Sequence, residues 1–348
     1  VFGGSPLTVC PGFCVKENQI IKVNQAAESL FITPGTDVRP LLLTGSEEYA
    51  AFTGGCLYLT LNLSSHSCGA SVTRVDDIDV FLLEQESDNG ELRSMALAAR
   101  ELREPLTNVM ITADSLFPLC AAESSPRTAE QVARLNRGLF QILRIIGNMS
   151  DAERCAAVSH QETVDIPALF AEFFEKAETL VSHTGITLTY EGPDQPIYGL
   201  ADREQLERAV LNILSNAIKF TPKGGTVTAK LTRSGRMLRL SVTDSGSGIA
   251  QSVRSSVFSR YLRQPALEDS RYGIGLGMVL IRTAAAHHGG AVLIDQPEGV
   301  GTRITMTMAI RQSKQATLRS NVLRVDYAGE RDHGLIELSE CLPTELYE

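Results

Sequence analysis

The sequence lacks three features that would place it in a membrane or on nucleic acid. No apolar stretch approaches the roughly 20 residues that a helix needs to span a bilayer. Its beginning, VFGGSPLTVC, lacks the positively charged start of a secretory signal peptide. Its net charge is −9, whereas nucleic-acid binding relies on basic patches that face phosphate. We therefore expect a cytoplasmic protein with no membrane segment in this chain and no nucleic-acid partner.

Metal-binding and disulfide patterns of cysteine are also missing. The seven cysteines are dispersed, none forms a CxxC pair, and no histidine lies at zinc-ligand spacing from one. This distribution is typical of reduced, mostly buried thiols. The 348 residues, 21% charged and 43% hydrophobic, are enough for two or three folded domains.

Residues 1–85 have the pattern of a small α/β domain. The stretch CVKENQIIKVNQAAESLF predicts a turn at Glu17 and Asn18, a strand with Ile21 and Val23, and a short helix from Asn24. GGCLYLTLNLSS and GASVTRVDDIDVFLLEQE alternate with period 2, as half-buried strands do. A strand, short helices and a long antiparallel hairpin resemble a PAS sensor domain. A dimerisation or spacer module without a ligand remains the alternative.

Residues 86–157 predict two long helices separated by AESSPRT, with Ser125 as a cap and Pro126 at the first helical position. Both helices carry apolar residues at helical spacing. In the first these are Leu92, Met95, Leu97, Leu102, Leu106, Val109, Met110, Ala113 and Leu116, and in the second Val132, Leu135, Leu139, Ile142, Leu143, Ile146 and Met149. Because one hairpin cannot bury both stripes, we expect it to dimerise into a four-helix bundle.

Residues 158–311 alternate helix and strand patterns, which predicts an α/β sandwich of a mixed sheet with helices on one side. The whole chain is therefore expected to be an α+β multidomain protein. Residues 312–348 form a tail of unknown role, with a possible short hairpin around Gly329 and no chemistry that the sequence identifies.

Three short motifs in residues 158–311 suggest a nucleotide site. The helix after Asp202 places Asn212, Asn216 and Lys219 on one face, where an amide oxygen suits Mg²⁺ and an ammonium suits phosphate. In VTDSGSGI, Asp244 ends a strand and enters a glycine-containing loop, so its carboxylate can accept a hydrogen bond from an exocyclic amine. RYGIGLGMVL places glycines before a helix, where backbone N–H groups can face phosphate.

Taken in order, NILSNAIKFTPKGG, VTDSGSGI and GIGLGM resemble the N, G1 and G2 boxes of the GHKL-type ATP-binding domain of sensor histidine kinases. VFSRYLRQ, with Phe258 and Arg263, lies where the family has its F box. The resemblance implies ATP and Mg²⁺ as cofactors. It assigns Mg²⁺ chelation to Asn216 with support from Asn212, and phosphate contacts to Lys219.

The same resemblance assigns the remaining site residues. Asp244 would bind the adenine amine, Gly246 and Gly248 would shape the base pocket, and Arg263 is a further candidate for a phosphate contact. Gly273, Gly275 and Gly277 would let a lid, residues 259–271, close over the phosphates. His287 and His288 resemble the end of the family's G2 helix and are expected to be structural.

The choice between kinase and hydrolase depends on Asn212. ATP-hydrolysing GHKL relatives place a glutamate there, and a neutral amide cannot take a proton from water. This favours the kinase branch, whose phosphotransfer motif reads H-E-L-R-x-P-L. The chain has Arg100-Glu101-Leu102-Arg103-Glu104-Pro105-Leu106 instead, and no histidine occurs between His66 and His160.

Arg100 cannot replace the missing histidine, because a guanidinium stays protonated at neutral pH and has no free lone pair. Glu101, which the family uses beside the nucleophile, then loses its catalytic partner. Arg100 could instead pair with Glu104 one turn later or present a cation to ATP. Glu104 also replaces the small polar residue of phosphatase-competent relatives, so dephosphorylation of a response regulator is not expected.

Three hypotheses remain open at this point. The first is a two-component sensor kinase that acts as a homodimer, or as a heterodimer with a kinase that supplies the histidine, and signals to a response regulator. The second is a pseudokinase, an ATP-binding interaction module whose nucleotide state changes the geometry of the bundle. The third is a slow GHKL ATPase.

Overall fold

The computed structural model describes residues 10–63, 66–84, 86–122, 126–157, 160–249, 257–258, 276–297, 301–312 and 331–347. Within these ranges the strands are β1 (Gly12–Lys16), β2 (Gln19–Val23), β3 (Cys56–Asn62), β4 (Ser67–Val75), β5 (Ile78–Leu83), β6 (Glu162–Asp165), β7 (Thr187–Glu191), β8 (Tyr198–Ala201), β9 (Thr226–Ser234), β10 (Met237–Asp244), β11 (Val292–Asp295) and β12 (Arg303–Ala309). The helices are α1 (Gln25–Glu28), α2 (Ser46–Ala50), α3 (Glu86–Ala122), α4 (Pro126–Ala157), α5 (Ile166–Val181), α6 (Arg203–Phe220), α7 (Leu276–His287) and α8 (His333–Glu337), with 3-10 turns at Arg39–Leu41, Ser182–Thr184 and Thr344–Tyr347.

One mixed sheet contains strands from the first 85 residues and from residues 187–309, in the order β2-β1-β5-β4-β3-β11-β12-β10-β9-β7. Its neighbouring strands are antiparallel except β7 and β9, which are parallel. The junction is the pairing of β3 with β11, in which Tyr58 lies opposite Val292. The amino-terminal strands therefore extend the sheet of the predicted nucleotide domain, a connection that the sequence does not predict.

The local predictions for the first strands agree with the structure. Glu17 and Asn18 form the turn between β1 and β2 and have positive φ angles of 50° and 64°, a conformation that asparagine adopts more readily than most residues. Asn24 is the N-cap of α1, and its side-chain oxygen accepts the backbone N–H of Ala27 at 2.9 Å. The cap ends β2 and turns the chain into the helix.

Helices α3 and α4 pack against each other as the long hairpin that the sequence predicts, and α4 begins at Pro126. The predicted cap at Ser125 lies outside the described residues. Leu106, Met110 and Leu139 of the predicted stripes are buried in this packing. A second set of apolar side chains on the same two helices stays exposed: Leu97, Leu102, Val109, Ile111, Leu116, Leu135, Ile142 and Ile145.

The predicted helix after Asp202 is α6, which forms the centre of the α/β part. Asp202 caps it, with its side-chain oxygen 3.2 Å from the backbone N–H of Gln205. The apolar row of α6, namely Leu206, Val210, Leu214 and Ile218, is buried as predicted. The mixed α/β architecture expected for this region is confirmed, and α6 is fixed in rotation by its buried row.

The prediction of a hairpin around Gly329 is wrong for the residues that follow it. Gly329 itself lies outside the described residues, but residues 333–337 form a helix rather than a strand. Asp332 caps this helix by accepting the N–H of Leu335 at 3.1 Å. A local cap therefore overrides the weak strand pattern.

In the described part of the chain, no helix combines the length and apolar character needed to cross a membrane.

Candidate functional site

The predicted polar row of α6 differs in burial along the helix. Asn212 is buried, whereas Asn216 and Lys219 are half-buried. The amide nitrogen of Asn212 donates to the carbonyl oxygen of Arg208 at 2.9 Å. Asn212 is therefore fixed by its own helix, while Asn216 and Lys219 keep part of their surface exposed.

Asp244 ends β10 with its carboxylate buried. One carboxylate oxygen, Oδ1, accepts the N–H of Gly246 at 2.8 Å and that of Thr302 at 3.1 Å. Burial raises the pKa of the Asp244 carboxyl, and the hydrogen bonds from Gly246 and Thr302 partly oppose this effect. The two N–H donors fix the orientation of the carboxylate, so the group is held ready for a donor on a ligand.

The loop after Asp244 lies directly against the end of α6. A Cβ atom on Gly246 would overlap the backbone carbonyl of Phe220, so glycine is required for this close approach. Gly248 has a φ of +74°, the left-handed region that favours glycine. Gly246 thus allows the β10 loop to pass close to α6, and Gly248 allows the left-handed backbone conformation two residues later.

The beginning of α7 contacts the same face of α6. A Cβ atom on Gly277 would lie 2.7 Å from Oδ1 of Asn212, which is too close for any larger residue without a shift. Met278 lies beside Asn216, whose amide nitrogen is 3.9 Å from the methionine sulfur. The amide oxygen is consequently the group that Asn216 can offer to a cation.

Lys219 is occupied by a partner that the sequence does not predict. Its Nζ lies 2.8 Å from Oε2 of Glu340. Burial alone would raise the pKa of the Glu340 carboxyl, but Arg144 and Lys219 beside it hold that pKa below its usual range. Glu340 is therefore an anion placed on the ammonium group that was predicted to contact phosphate.

Several predicted site residues lie outside the described residues: Arg263, Gly273, Gly275 and the predicted lid, residues 259–271. Phe258 of the predicted F box is described and buried, and its ring lies 5.5 Å from that of Tyr58 in β3. This contact places the F box beside the first part of the sheet.

Arg100 and Glu101 lie on the exposed surface of α3. The predicted ion pair between Arg100 and Glu104 is wrong, since both side chains are described and exposed and the structure contains no ion pair between them. The neighbouring Arg103 instead reaches across to α4, where its Nη2 donates to Oγ of Ser150 at 3.2 Å. Arg100 is thus left facing solvent.

Sequence reasoning missed three residues that contact the site: Thr302, Glu337 and Glu340. Thr302 follows a glycine in GVGTRIT, a local signal that could have indicated a residue beside a ligand pocket. Glu337 and Glu340 follow the Asp332 cap, but their partners are far away in the sequence. No local pattern could have identified those two contacts.

His287 and His288 make structural contacts, as expected. His288 is buried, its Nε2 accepts the backbone N–H of Asp202 at 3.0 Å, and its Nδ1 lies 2.6 Å from the carbonyl oxygen of Ala284. Because Nε2 accepts, Nδ1 carries the proton and the ring is neutral. Burial lowers the pKa of the His288 imidazole below its ordinary value.

Lowering the pH should therefore destabilise the fold through His288. The unfolded chain binds the proton more tightly than the folded chain does. The contribution of neutral His288 to the stability of the fold is therefore complete above a pH of about 6.5 and is lost as the pH falls toward the pKa of His288 in the folded chain. We expect the free energy of unfolding to fall by up to about 1.4 kcal/mol per pH unit in that window. The free energy of unfolding, measured with urea at several pH values, should depend less steeply on pH in His288→Gln than in the wild type. The same dependence on pH in both proteins would contradict this assignment.

Comparison with known proteins agrees with these motifs. Residues 201–312, which span α6 to β12, match the family of histidine kinase-, DNA gyrase B- and HSP90-like ATPases. The chain is 29% identical over 276 residues to an uncharacterized sensor-like histidine kinase of Rhizobium meliloti, a match that covers 75% of this chain and 52% of that protein. It is 26% identical over 246 residues to the adaptive-response sensory kinase SasA of Crocosphaera subtropica, a match that covers 67% of this chain and 64% of that protein.

The chain thus spans between half and two thirds of the length of these relatives. Among solved structures it is similar to full-length ShkA in complex with AMPPNP, with a TM-score of 0.52 and 23% identity over 71% of this chain and 54% of that one. This likeness shows a shared fold. The chain is thus similar to sensor histidine kinases, and its residues 201–312 match the ATPase-type domain that the family model describes.

Proposed function

We propose that the chain is a two-component signalling protein that binds ATP and Mg²⁺ and transmits a signal through a dimeric helical bundle without phosphorylating itself. The main observation behind the proposal is that two of the predicted motifs, the loop after β10 and the start of α7, pack against α6. Gly246 of the β10 loop lies against Phe220, and Gly277 of α7 lies against Asn212. Two motifs far apart in the sequence thus lie against the same helix, which supports a shared nucleotide site.

The chemistry of the donor set fits the proposed ligands. Asn216 offers an amide oxygen, a hard ligand of the kind that Mg²⁺ prefers, and Mg²⁺ when bound would neutralise phosphate charge. Among the described residues, no group of three His, Cys, Asp or Glu side chains could hold a metal ion. A cation shared between Asn216 and a nucleotide is therefore more consistent with this chain than an all-protein metal centre.

Each site residue has a role in this proposal. Asp244 accepts the adenine amine, Gly246 and Gly248 form the base pocket, Lys219 contacts phosphate, and Asn212 supports Asn216. Gly273, Gly275 and Gly277 let the lid, residues 259–271, close over the phosphates, and Arg263 contacts a phosphate.

Residues 1–85 are proposed to be a PAS-like sensor domain. Their strand order, β2-β1-β5-β4-β3, and the short helices between β2 and β3 support this assignment. Residues 86–157 are then the dimerisation and phosphotransfer hairpin, residues 158–311 the ATP-binding domain, and residues 312–348 a further segment.

The exposed apolar side chains of the hairpin support dimerisation. Leu102, Val109 and Leu116 recur every seven residues on α3, and Leu135 and Ile142 repeat that spacing on α4. Such a stripe is expected to be covered by a second copy in a four-helix bundle. A second copy would give a homodimer, and a related kinase with a histidine would give a heterodimer.

The geometry disfavours ATP hydrolysis. Asn212 occupies the position of the water-activating glutamate, and its amide nitrogen donates to the carbonyl of Arg208. The nearest carboxylate among the described contacts of Asn212 belongs to Glu337, which is fully buried and paired with Arg144 and Arg208. A buried, doubly paired carboxylate is a poor base for water.

The exposed Arg100 supports the pseudokinase as the second candidate function. A pseudokinase would use ATP to set the geometry of the bundle, whereas a heterodimer would transfer phosphate to the partner's histidine and then to a response regulator. The two differ in one observable, namely whether a histidine-bearing partner becomes phosphorylated.

Asp244→Asn tests the nucleotide site directly. The substitution replaces the acceptor for the adenine amine while keeping the shape of the side chain. We expect the affinity for Mg–ATP to fall about 10- to 100-fold, since losing one buried hydrogen-bond partner costs about 1–3 kcal/mol. Isothermal titration calorimetry measures the change.

Glu191→Gln is the matched control, because it removes one carboxylate from the exposed end of β7 in the same sheet, where Glu191 pairs with Lys230. Its affinity should equal that of the wild type. Equal affinity in Asp244→Asn would instead contradict the assignment of Asp244.

A further inference from the structure

Residues 331–347, called the 331–347 segment below, pack between α4 of the hairpin and α6 of the nucleotide site. The segment consists of α8, a connection and the 3-10 turn at Thr344–Tyr347. Two of its carboxylates, those of Glu337 and Glu340, point at the basic and amide side chains of these two helices.

Glu340 joins the two helices at the surface of the site. Its Oε1 lies 3.1 Å from Nη1 of Arg144 on α4, and its Oε2 lies 2.8 Å from Nζ of Lys219 on α6. A carboxylate at this distance takes one of the three N–H donors of the ammonium group and offsets its positive charge, so a phosphate oxygen would gain less by binding there. Glu340 therefore contacts the ammonium group that the proposed function assigns to phosphate.

Glu337 anchors the segment below Glu340. It has no exposed surface, and its carboxylate lies 3.3 Å from Nε of Arg144 and 3.1 Å from Nη2 of Arg208. Oε2 also lies 3.5 Å from the amide nitrogen of Asn212. The segment thus contacts both Asn212 and Lys219 of the predicted row.

Helix α4 holds the backbone of the segment at the same place. Arg137 donates through Nε to the carbonyl of Ser339 at 2.9 Å and through Nη2 to that of Glu340 at 3.0 Å. Asn136 donates to the carbonyl of Tyr347 at 2.9 Å. The position of the Glu340 carboxylate is therefore fixed from the helical hairpin.

We propose that the 331–347 segment is autoinhibitory: Glu340 and the phosphates of ATP compete for Lys219, and α4 sets the outcome by holding the segment in place. The proposal rests on the proposed function, because it requires Lys219 to contact phosphate. Coupling between two ligands of one site is reciprocal. Bound ATP must weaken the hold of α4 on the segment by the same factor by which the segment weakens ATP binding.

Two probes separate competition at Lys219 from general obstruction. Mg–ATP carries phosphates, and adenosine carries the base without them. Calorimetry on the full chain should show that Glu340→Gln raises the affinity for Mg–ATP about 5- to 100-fold, the usual range for coupled sites, and leaves that for adenosine unchanged. Glu345→Gln, the same change at an exposed position of the segment, should leave both affinities unchanged.

Hydrogen exchange on the wild-type chain gives a measurement that needs no variant. Mg–ATP should speed amide exchange across residues 331–347, whereas adenosine should not.

Each result decides the matter. If wild type and Glu340→Gln bind Mg–ATP equally and exchange in the segment does not change, the competition is refuted while the proposed function stands. If Glu340→Gln strengthens adenosine binding equally, competition at Lys219 is also refuted. If no chain binds either probe, the proposed function is refuted and this inference fails with it.

Discussion

The wild-type chain is expected to acquire no acid-labile phosphate when it is incubated with γ-labelled ATP and Mg²⁺. Arg100 stands where the family motif has its acceptor histidine, and an arginine side chain stays protonated at neutral pH. A protonated guanidinium has no lone pair with which to attack phosphorus. Arg100 itself lies exposed on α3.

Arg100→His should restore labelling. An imidazole with a pKa of about 6.5 has a free lone pair at neutral pH, and Glu101 follows it as the family motif requires. Arg100→Gln is the control, because it also removes the cation but supplies no nucleophile, and it should remain unlabelled. Autoradiography before and after acid treatment distinguishes phosphohistidine from acid-stable phosphate.

Acid-labile label on the wild-type chain would contradict the claim that self-phosphorylation is lost. An unlabelled Arg100→His that still binds ATP would show that the loss extends beyond one side chain. Arg100→His combined with Glu340→Gln then tests the first candidate for that further loss, the contact between Glu340 and Lys219.

Glu337→Gln should destabilise the fold by about 1–3 kcal/mol, the cost of leaving a buried hydrogen-bonding group without its partner. Glu337 is fully buried between Arg144 and Arg208, of which Arg144 also pairs with Glu340 and Arg208 also pairs with Asp151. The variant places an amide N–H₂ where a carboxylate oxygen accepted from these donors. The buried guanidinium groups of Arg144 and Arg208 then lose one of the negative charges that balance them.

Urea unfolding, followed by circular dichroism, measures this loss. Glu345→Gln is again the matched control, since an exposed side chain in the same segment should change the free energy of unfolding by less than about 0.5 kcal/mol. A loss below about 1 kcal/mol for Glu337→Gln would show that the buried network does not hold the 331–347 segment in place.

The elements with a local signature could be predicted from the sequence. The helix after Asp202 has a capping residue and a buried apolar row, and α4 begins with Pro126, so short-range physics determines both. The mixed α/β architecture follows from such elements in order. The pairing of β3 with β11 could not be predicted, because edge strands that meet across the chain leave no local pattern.

The site divides in the same way. The polar row of α6 follows from helical spacing, and the structure places Asn212, Asn216 and Lys219 there as expected. The ion pair between Lys219 and Glu340 joins residues 121 positions apart, and the sequence near residue 340 contains no pattern that predicts it. The predicted pair of Arg100 with Glu104 is not formed, because exposed ion pairs gain little and cost side-chain entropy.

The fate of bound nucleotide tests the central claim, that the chain binds ATP without hydrolysing it or transferring its phosphate to itself. The chain is incubated with Mg–ATP labelled in both the base and the γ-phosphate, separated rapidly from free nucleotide, and the labels on protein and nucleotide are counted. We predict intact ATP on the protein, with little ADP and no phosphoprotein. ADP accompanied by acid-labile phosphoprotein, or no nucleotide on either wild type or Glu340→Gln, would contradict it.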